Sequence, residues 1–127
     1  MVEDDPLSLE VIVRIIKRTG CTVDKARNGK DAVQLADQHQ YALIIMDCSL
    51  PLMDGMEATQ AIRNLQAPSA KAIIIGVTGN PAIEFDECLD AGMNGFLRKP
   101  ARIDDYLQLV NQWIKGAPPV DSTSPSS

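Results

Sequence analysis

Acidic, hydroxyl and amino side chains come directly after short apolar stretches of this sequence. Glu3-Asp4-Asp5 and Asp47 supply the acids. Thr78 supplies a hydroxyl and Lys99 an ammonium. If the apolar stretches are parallel strands, their carboxyl ends meet at one edge of a sheet, where ligands bind at the point at which strand order reverses. Carboxylates brought this close repel one another unless a cation neutralises them, and Mg²⁺ prefers oxygen ligands of this kind.

Such a group of side chains suits phosphoryl transfer. A metal ion would bridge a carboxylate and the phosphoryl oxygens, while the ammonium of Lys99 and the hydroxyl of Thr78 hold the remaining oxygens. The protein then has to supply positioning and charge stabilisation, with an aspartate such as Asp47 as the nucleophile. The residue types therefore predict Mg²⁺ as a cofactor.

Two kinds of apolar pattern alternate along the chain and would position these side chains. The unbroken runs at 43–46 and 72–77 are rich in β-branched residues and too short for helices, which is typical of strands buried on both faces. Between the runs, apolar residues recur at helical spacing, as in Leu9, Val13 and Ile16. We predict five helices alternating with five strands, the strands at 1–3, about 22–26, 42–46, 72–77 and about 95–97.

This alternation predicts an α/β fold. Connections between parallel strands are right-handed, so helices are expected on both faces of a doubly wound parallel five-stranded sheet. The 127 residues fit one domain, which we place at 1–115. Residues 116–127 are rich in Pro and Ser with little to bury, and they predict a disordered tail or linker.

Charge and cysteine content narrow the function further. The net charge is -5 and the basic residues are scattered, which argues against nucleic-acid binding. Cys21, Cys48 and Cys88 form an odd set without C-x-x-C spacing, so we expect reduced thiols and a cytoplasmic protein. Cys48, beside Asp47, is interpreted as a packed apolar residue rather than a redox thiol. No apolar run approaches the roughly 18 residues of a membrane span, so no membrane insertion is expected.

Four segments follow one another at the predicted strand ends. They are Val2-Glu3-Asp4-Asp5-Pro6-Leu7, 45–55 followed by Glu57-Ala58-Thr59, Val77-Thr78-Gly79, and Gly95-Phe96-Leu97-Arg98-Lys99-Pro100. In this order and at this spacing they resemble the response-regulator receiver family of two-component signalling, over about residues 1–115. No single segment is specific, but the four together are. The resemblance implies the flavodoxin-like receiver topology.

The resemblance also implies which residues bind the metal and which one accepts the phosphoryl group. Asp47 would be the phosphoacceptor and Asp4 a direct metal ligand. Glu3 would act on the metal mostly through water, and Ser49 would offer its backbone carbonyl. The phosphoryl donor would be a histidine kinase or a histidine phosphotransfer protein, and the chain would be a regulatory phosphoacceptor rather than an enzyme.

A conformational response follows from the same resemblance. Thr78 would hydrogen-bond the phosphoryl group, Lys99 would pair with it, and Phe96 would change its burial as Thr78 moves. The face formed by the fourth helix, the fifth strand and the fifth helix, at about 82–115, would then present the change to a downstream partner. Such activation is a population shift driven by a binding energy that differs between two states.

Other readings of these residues stay open. A haloacid-dehalogenase-like phosphatase would also use Asp47 as nucleophile, but it needs a second Asp where Ser49 stands. A flavodoxin-like flavin module would need a Ser/Thr/Gly-rich loop in place of 6–9. A pseudo-receiver that only binds partners is disfavoured because the whole acid, hydroxyl and amine set is present. Glu3-Asp4-Asp5 could alternatively cap a helix that begins near Pro6, and Asp54-Gly55 predicts a turn and helix N-cap.

The first predicted strand departs from the family pattern. Only Met1 and Val2 precede Glu3, whereas the family has several apolar residues before its acid pair. A short strand in the centre of a sheet loses backbone pairing and side-chain burial. We therefore expect either lower stability than in relatives or a segment of a partner that fills the gap.

Overall fold

The computed structural model describes residues 1–50 and 53–114. The predicted tail at 116–127 lies outside these residues. Within them, five α-helices, one 3₁₀ turn and three strands follow the predicted alternation. The helices are α1 (Pro6–Lys17), α2 (Gly29–Gln38), α3 (Gly55–Arg63), α4 (Phe85–Ala91) and α5 (Ile103–Trp113), and the strands are β1 (Leu43–Asp47), β2 (Ile73–Thr78) and β3 (Gly95–Arg98). The 3₁₀ turn is Pro68–Lys71.

The three strands form a parallel sheet in the order β1-β2-β3. Asp47 is in register with Val77, and Thr78 is in register with Arg98, so the carboxyl ends of all three strands lie at one edge. This arrangement brings the strand ends that carry the acidic, hydroxyl and amino side chains to the same edge of the sheet, as predicted.

The first two predicted strands are reduced to single bridges. Val2 makes one parallel bridge to Ala26 and one to Met46, which places the segment around Val2 between the segment around Ala26 and β1. The spatial order is then the Ala26 segment, the Val2 segment, β1, β2 and β3. The predicted doubly wound topology is confirmed, but within the described residues three of its five strands are regular and two are bridge pairs. Both bridge pairs fall on a single residue, Val2, whereas a regular ladder needs consecutive pairs.

Helices cover both faces of the sheet, as predicted. Alternate residues of β1 and β2 point to opposite sides because side chains alternate along a strand. Ile44, Met46 and Ile74 pack with buried residues of α2, α3 and α4. Ile45 and Val77 pack on the other side with buried residues of α1 and α5, among them Tyr106. The two clusters make the core of a doubly wound fold.

Local capping residues fix where the helices next to the site begin. The Asp5 side chain accepts a hydrogen bond from the Leu7 N–H, with Pro6 in the first turn of α1. Asp54 and Glu57 form a capping box at the start of α3, which confirms the N-cap predicted for Asp54-Gly55. These caps hold the loops that follow the first and third predicted strands.

Among the described residues, no helix combines the length and apolar character needed to cross a bilayer. Cys21, Cys48 and Cys88 are all free thiols.

Candidate functional site

Asp47 is the last residue of β1 and is almost completely buried, with 3% of its surface exposed. Its Oδ1 accepts a hydrogen bond from the Ser49 backbone N–H at 3.0 Å. Its Oδ2 lies 2.9 Å from Nζ of Lys99. The carboxylate is therefore fixed at both oxygens, and it points to the edge of the sheet where the other predicted site residues lie.

The three residues of the acidic triplet lie in two different places. Glu3, Asp4 and Asp47 each offer a carboxylate oxygen, and these atoms lie within 4.8 Å of one another. Asp5 instead caps α1, where its Oδ2 also accepts a hydrogen bond from the Ser8 hydroxyl at 2.6 Å. Two of the three acids thus join the site, and the third one holds the helix that follows.

Burial differs between the acids of the site. Glu3 is buried with 3% of its surface exposed, whereas Asp4 is exposed. Glu3 is held by its backbone N–H, which donates to the Ala26 carbonyl at 3.1 Å, and by its Oε2, which accepts from the Asp5 N–H at 3.2 Å. The site therefore has a buried floor of Glu3 and Asp47 and an exposed rim at Asp4.

Lys99 follows β3 and reaches across the sheet edge to this floor. Its Nζ contacts Oε1 of Glu3 at 3.3 Å in addition to Asp47. Its backbone N–H donates to the Thr78 carbonyl at 2.7 Å, which continues the pairing of β3 with β2 beyond the last strand residue. The predicted convergence of Asp47, Lys99 and the first acids is present in the structure.

The electrostatics of the site reflect two carboxylates sharing one ammonium. Burial, the hydrogen bond with Asp47 and the charge of Asp47 raise the pKa of Glu3 to about 7, although the Asp5 N–H and Lys99 oppose this rise. Burial by itself would lower the pKa of Lys99, but the hydrogen bonds and charges of Asp47 and Glu3 outweigh it and raise that pKa to about 12. The site favours an added positive charge.

Thr78 and Phe96 are the two residues of the predicted conformational switch. Thr78 ends β2 and is completely buried, and its Oγ1 accepts a hydrogen bond from the Asn80 N–H at 3.0 Å. Phe96 is half-buried on β3, opposite Gly76 in the register. Its ring stacks on that of Phe85, with centroids 5.1 Å apart and planes 26° apart. The structure shows both side chains in place, and a change of burial at Phe96 stays a prediction.

The backbone of Gly55 lies directly against the backbone of Asp47 and Cys48. A Cβ added to Gly55 would collide with the carbonyl oxygen of Asp47 and lie 2.8 Å from Cα of Cys48. The Gly55 N–H donates to the Cys48 carbonyl at 3.0 Å. Sequence reasoning assigned Asp54-Gly55 only to a turn and cap, and it missed that Gly55 also allows α3 to start directly against the acceptor residue.

Cys48 behaves as predicted, as a packed apolar residue. Its side chain is in the core with 2% of its surface exposed. Burial, followed by the nearby Cys88, raises the pKa of its thiol to about 12, so the reactive thiolate is scarce at neutral pH.

The chain matches a family model described as the response regulator receiver domain over residues 1–111. It is 38% identical to the hybrid signal transduction histidine kinase B of Dictyostelium discoideum over 126 residues, which cover 90% of this chain and 6% of that protein. It is 31% identical to the transcription factor SKN7 of Saccharomyces cerevisiae, covering 94% of this chain and 19% of that protein. The chain thus spans only a small part of these relatives.

Solved structures show the same fold. The receiver domain of the sensor histidine kinase PA1611 from Pseudomonas aeruginosa is 36% identical to this chain, with a TM-score of 0.79, over 90% of this chain and 93% of that one. That structure has a magnesium ion coordinated in its active-site cleft. The receiver domain of the Francisella response regulator 1452 is 25% identical with a TM-score of 0.80, over 91% and 93%.

Proposed function

This chain belongs to the response regulator receiver domain family, and from that membership we propose that it accepts a phosphoryl group from a phosphohistidine onto Asp47. As a receiver domain it acts in two-component signalling. The observation that supports Asp47 as the acceptor is its position: a buried carboxylate at the end of β1, with Lys99 at 2.9 Å and the carboxylates of Glu3 and Asp4 beside it.

The transfer would form one bond and break another. A carboxylate oxygen of Asp47 attacks the phosphorus as the P–N bond to the donor imidazole breaks. The electron pair of that bond stays on the ring nitrogen, and the imidazole, which carries a proton on its other nitrogen, leaves as the neutral ring. The ammonium of Lys99 and the hydroxyl of Thr78 stabilise the charge on the phosphoryl oxygens. The Ser49 N–H keeps the carboxylate oriented through its bond to Oδ1.

The acid cluster fits Mg²⁺, which we propose as the cofactor. Three carboxylate oxygens within 4.8 Å of one another suit one hard cation that prefers oxygen ligands and keeps several waters. Asp4 and Asp47 would bind it directly, Glu3 mostly through water, and Ser49 through its backbone carbonyl. When bound, the ion would neutralise these acids and bring the phosphoryl oxygens to Asp47.

A regulatory role is favoured over hydrolytic turnover. A phosphatase with an aspartate nucleophile needs a second acid for the leaving group, and Ser49 is the residue two positions after Asp47. We propose that the domain, at 1–115, promotes only its own phosphorylation and dephosphorylation. The three free thiols agree with the cytoplasmic location that we propose.

Two apolar surfaces are available for partners. On α1, next to the acid rim, Leu7 is 73% exposed and Val11 is 43% exposed. We propose that the histidine kinase or histidine phosphotransfer protein docks here, because a phosphohistidine must come within bonding distance of Asp47. On the α4, β3 and α5 face, Phe85 is 41% and Leu89 43% exposed, and this is the surface proposed for a downstream partner.

The test is labelling with acetyl phosphate and Mg²⁺, followed by intact mass. One phosphoryl group should be added, stable in acid and labile in base, as expected of an acyl phosphate. Asp47→Asn should take no label. Unchanged labelling in that variant, or labelling that persists when a chelator removes the metal, contradicts the proposal.

A further inference from the structure

Arg98 connects the loop after β2 to an aromatic ring on β3. Its Nη1 donates to the Asn80 carbonyl at 3.0 Å and its Nη2 to the Ile83 carbonyl at 2.9 Å. Its guanidinium carbon lies 5.1 Å from the centre of the Phe96 ring. One side chain therefore holds the loop at 79–84 and covers the ring at the same time.

Each end of this connection continues to another part of the molecule. At the site, the Asn80 N–H donates to Oγ1 of Thr78, the hydroxyl proposed to contact the phosphoryl group. At the surface, Phe96 stacks on Phe85, the first residue of α4. A continuous series of contacts thus runs from Thr78 through the loop and Arg98 to the Phe85–Phe96 pair.

The chemistry of arginine makes this link stiff. The guanidinium is a planar fork whose donors point in fixed directions, and it also stacks on aromatic faces. Two carbonyls and a ring therefore fix it together, so the loop cannot shift far without displacing the ring or losing these bonds. A lysine could keep a charge near the ring, but it could not hold both carbonyls in the same geometry.

We propose that Arg98 is the positioning residue that couples the loop following Thr78 to Phe96, so that phosphorylation at Asp47 is read out at the Phe85–Phe96 pair. The inference rests on the proposed function. It adds the residue that transmits the change, which motif matching to the switch pair Thr78 and Phe96 does not supply. Coupling requires contacts that differ between two states, and the Arg98 contacts are the ones that such a change must break or move.

The chain offers a simple spectroscopic readout because it contains two phenylalanines, Phe85 and Phe96. Protein labelled with 4-fluorophenylalanine gives one ¹⁹F resonance for each, assigned with Phe85→Leu and Phe96→Leu. Spectra are recorded before and after acetyl phosphate and Mg²⁺, with the phosphorylated fraction measured by intact mass in the same sample. The variants are Arg98→Ala, Arg98→Lys and, as a control on the exposed side of α1, Arg14→Ala.

In the parent and in Arg14→Ala, both resonances should move as Asp47 is labelled. In Arg98→Ala the label should still be added, but the movement of the resonances should be about fivefold smaller. Arg98→Lys should give an intermediate response. A residue that only stabilises the loop would change the melting temperature without changing how far phosphorylation moves the resonances.

The inference is overturned if fully phosphorylated Arg98→Ala shows the same shift of its ¹⁹F resonances as the parent. It is also overturned if the resonances of the phosphorylated parent do not shift. Should Arg98→Ala not fold, the lysine variant decides, because a parental movement there also overturns the coupling. A parent that takes no label at Asp47 refutes the proposed function and this inference with it, and the mass measurement separates that outcome from a failure of coupling alone.

Discussion

Nζ of Lys99 lies 2.9 Å from Oδ2 of Asp47, and the same ammonium contacts Glu3 at 3.3 Å. One cation thus balances two buried carboxylates. A metal ion placed among these oxygens would compete with the ammonium, whereas a phosphoryl group on Asp47 would attract it. Lys99 is therefore expected to oppose metal binding and to favour phosphorylation.

Lys99→Met separates these two effects. Labelling of Asp47 by acetyl phosphate should slow by about tenfold or more, because a charge that stabilises the transferring phosphoryl group is removed. Mg²⁺ should bind more tightly, since its competitor is gone. The measurements are a time course of intact mass and a Mg²⁺ titration of the melting temperature. Lys25→Met is the matched control, because Lys25 is exposed and paired with Glu10. Weaker Mg²⁺ binding in the Lys99 variant would contradict the predicted competition.

Mg²⁺ should stabilise the parent protein, because it binds the folded acid cluster and relieves the repulsion within it. At about 100 times the dissociation constant the gain is about 2.7 kcal/mol. Asp4→Asn should lose most of this gain in a thermal titration. Asp5→Ala should lower the starting melting temperature, because Asp5 caps α1 and alanine has no side-chain acceptor, but it should keep the Mg²⁺ response. Equal responses in both variants would show that Asp4 is not a ligand.

The raised pKa of Glu3 predicts a pH dependence of stability in the absence of metal. Between its ordinary value of 4.5 and about 7, Glu3 keeps its proton in the folded state and has lost it in the unfolded state. The unfolded state binds fewer protons in this window, so the free energy of unfolding falls as pH rises through it. Allowing for screening by solvent at the open side of the site, the contribution is about 1–2 kcal/mol.

Glu3→Gln should remove that contribution. Urea unfolding of metal-free parent and variant at pH 4.5 and pH 8 gives the comparison, and the difference between the two proteins isolates Glu3 from the other acids. The variant should gain stability relative to the parent as the pH rises. A parent that becomes more stable relative to the variant over this range would show that Glu3 is not protonated in the fold.

Docking of the phosphodonor on α1 is tested by changing Leu7. Leu7→Lys should slow transfer from a phosphorylated histidine phosphotransfer protein by about tenfold or more, since an exposed apolar contact is lost. Labelling by acetyl phosphate, which needs no docking, should stay at the parental rate. Leu89→Lys on α4 is the control, with the same side chain, 43% exposed, on the other proposed surface. If Leu89→Lys is the slower acceptor, the donor docks on the α4 side.

Sequence reasoning predicted which residues of the candidate site lie together, because the ends of strands can be predicted from the apolar pattern. Asp47, Thr78 and Lys99 each follow an apolar stretch that proved to be β1, β2 or β3. Parallel strands then bring these ends together whatever the loops do. The reduced pairing of the first predicted strand was expected, because only Met1 and Val2 precede Glu3. That of the second, at about 22–26, could not be deduced, since an apolar pattern does not say how many ladder bonds a short segment forms.

Hydrogen bonds from side chains to carbonyls of distant segments could not be predicted from the sequence, for a different reason. Arg63 looks like one more polar residue on α3. In the structure its Nε donates to the Gly92 carbonyl at 2.9 Å, its Nη1 to those of Ala70 and Ala72, and its Nη2 to Asn94. Burial lowers the pKa of this guanidinium. No periodicity marks such a residue, because its partners are backbone atoms of other segments. Arg98 was missed on the same ground.

Val2 bears on how the site assembles. Its N–H donates to the Ile45 carbonyl at 2.8 Å and its carbonyl accepts from the Asp47 N–H at 3.0 Å, so one residue ties the segment carrying Glu3 and Asp4 to the strand carrying Asp47. Opening of this short segment would move Glu3 and Asp4 away from Asp47, and would therefore release a cation bound as proposed. Mg²⁺ should slow amide hydrogen exchange at Val2, Glu3 and Asp47 together, while the amides in the middle of β2 keep their own rate.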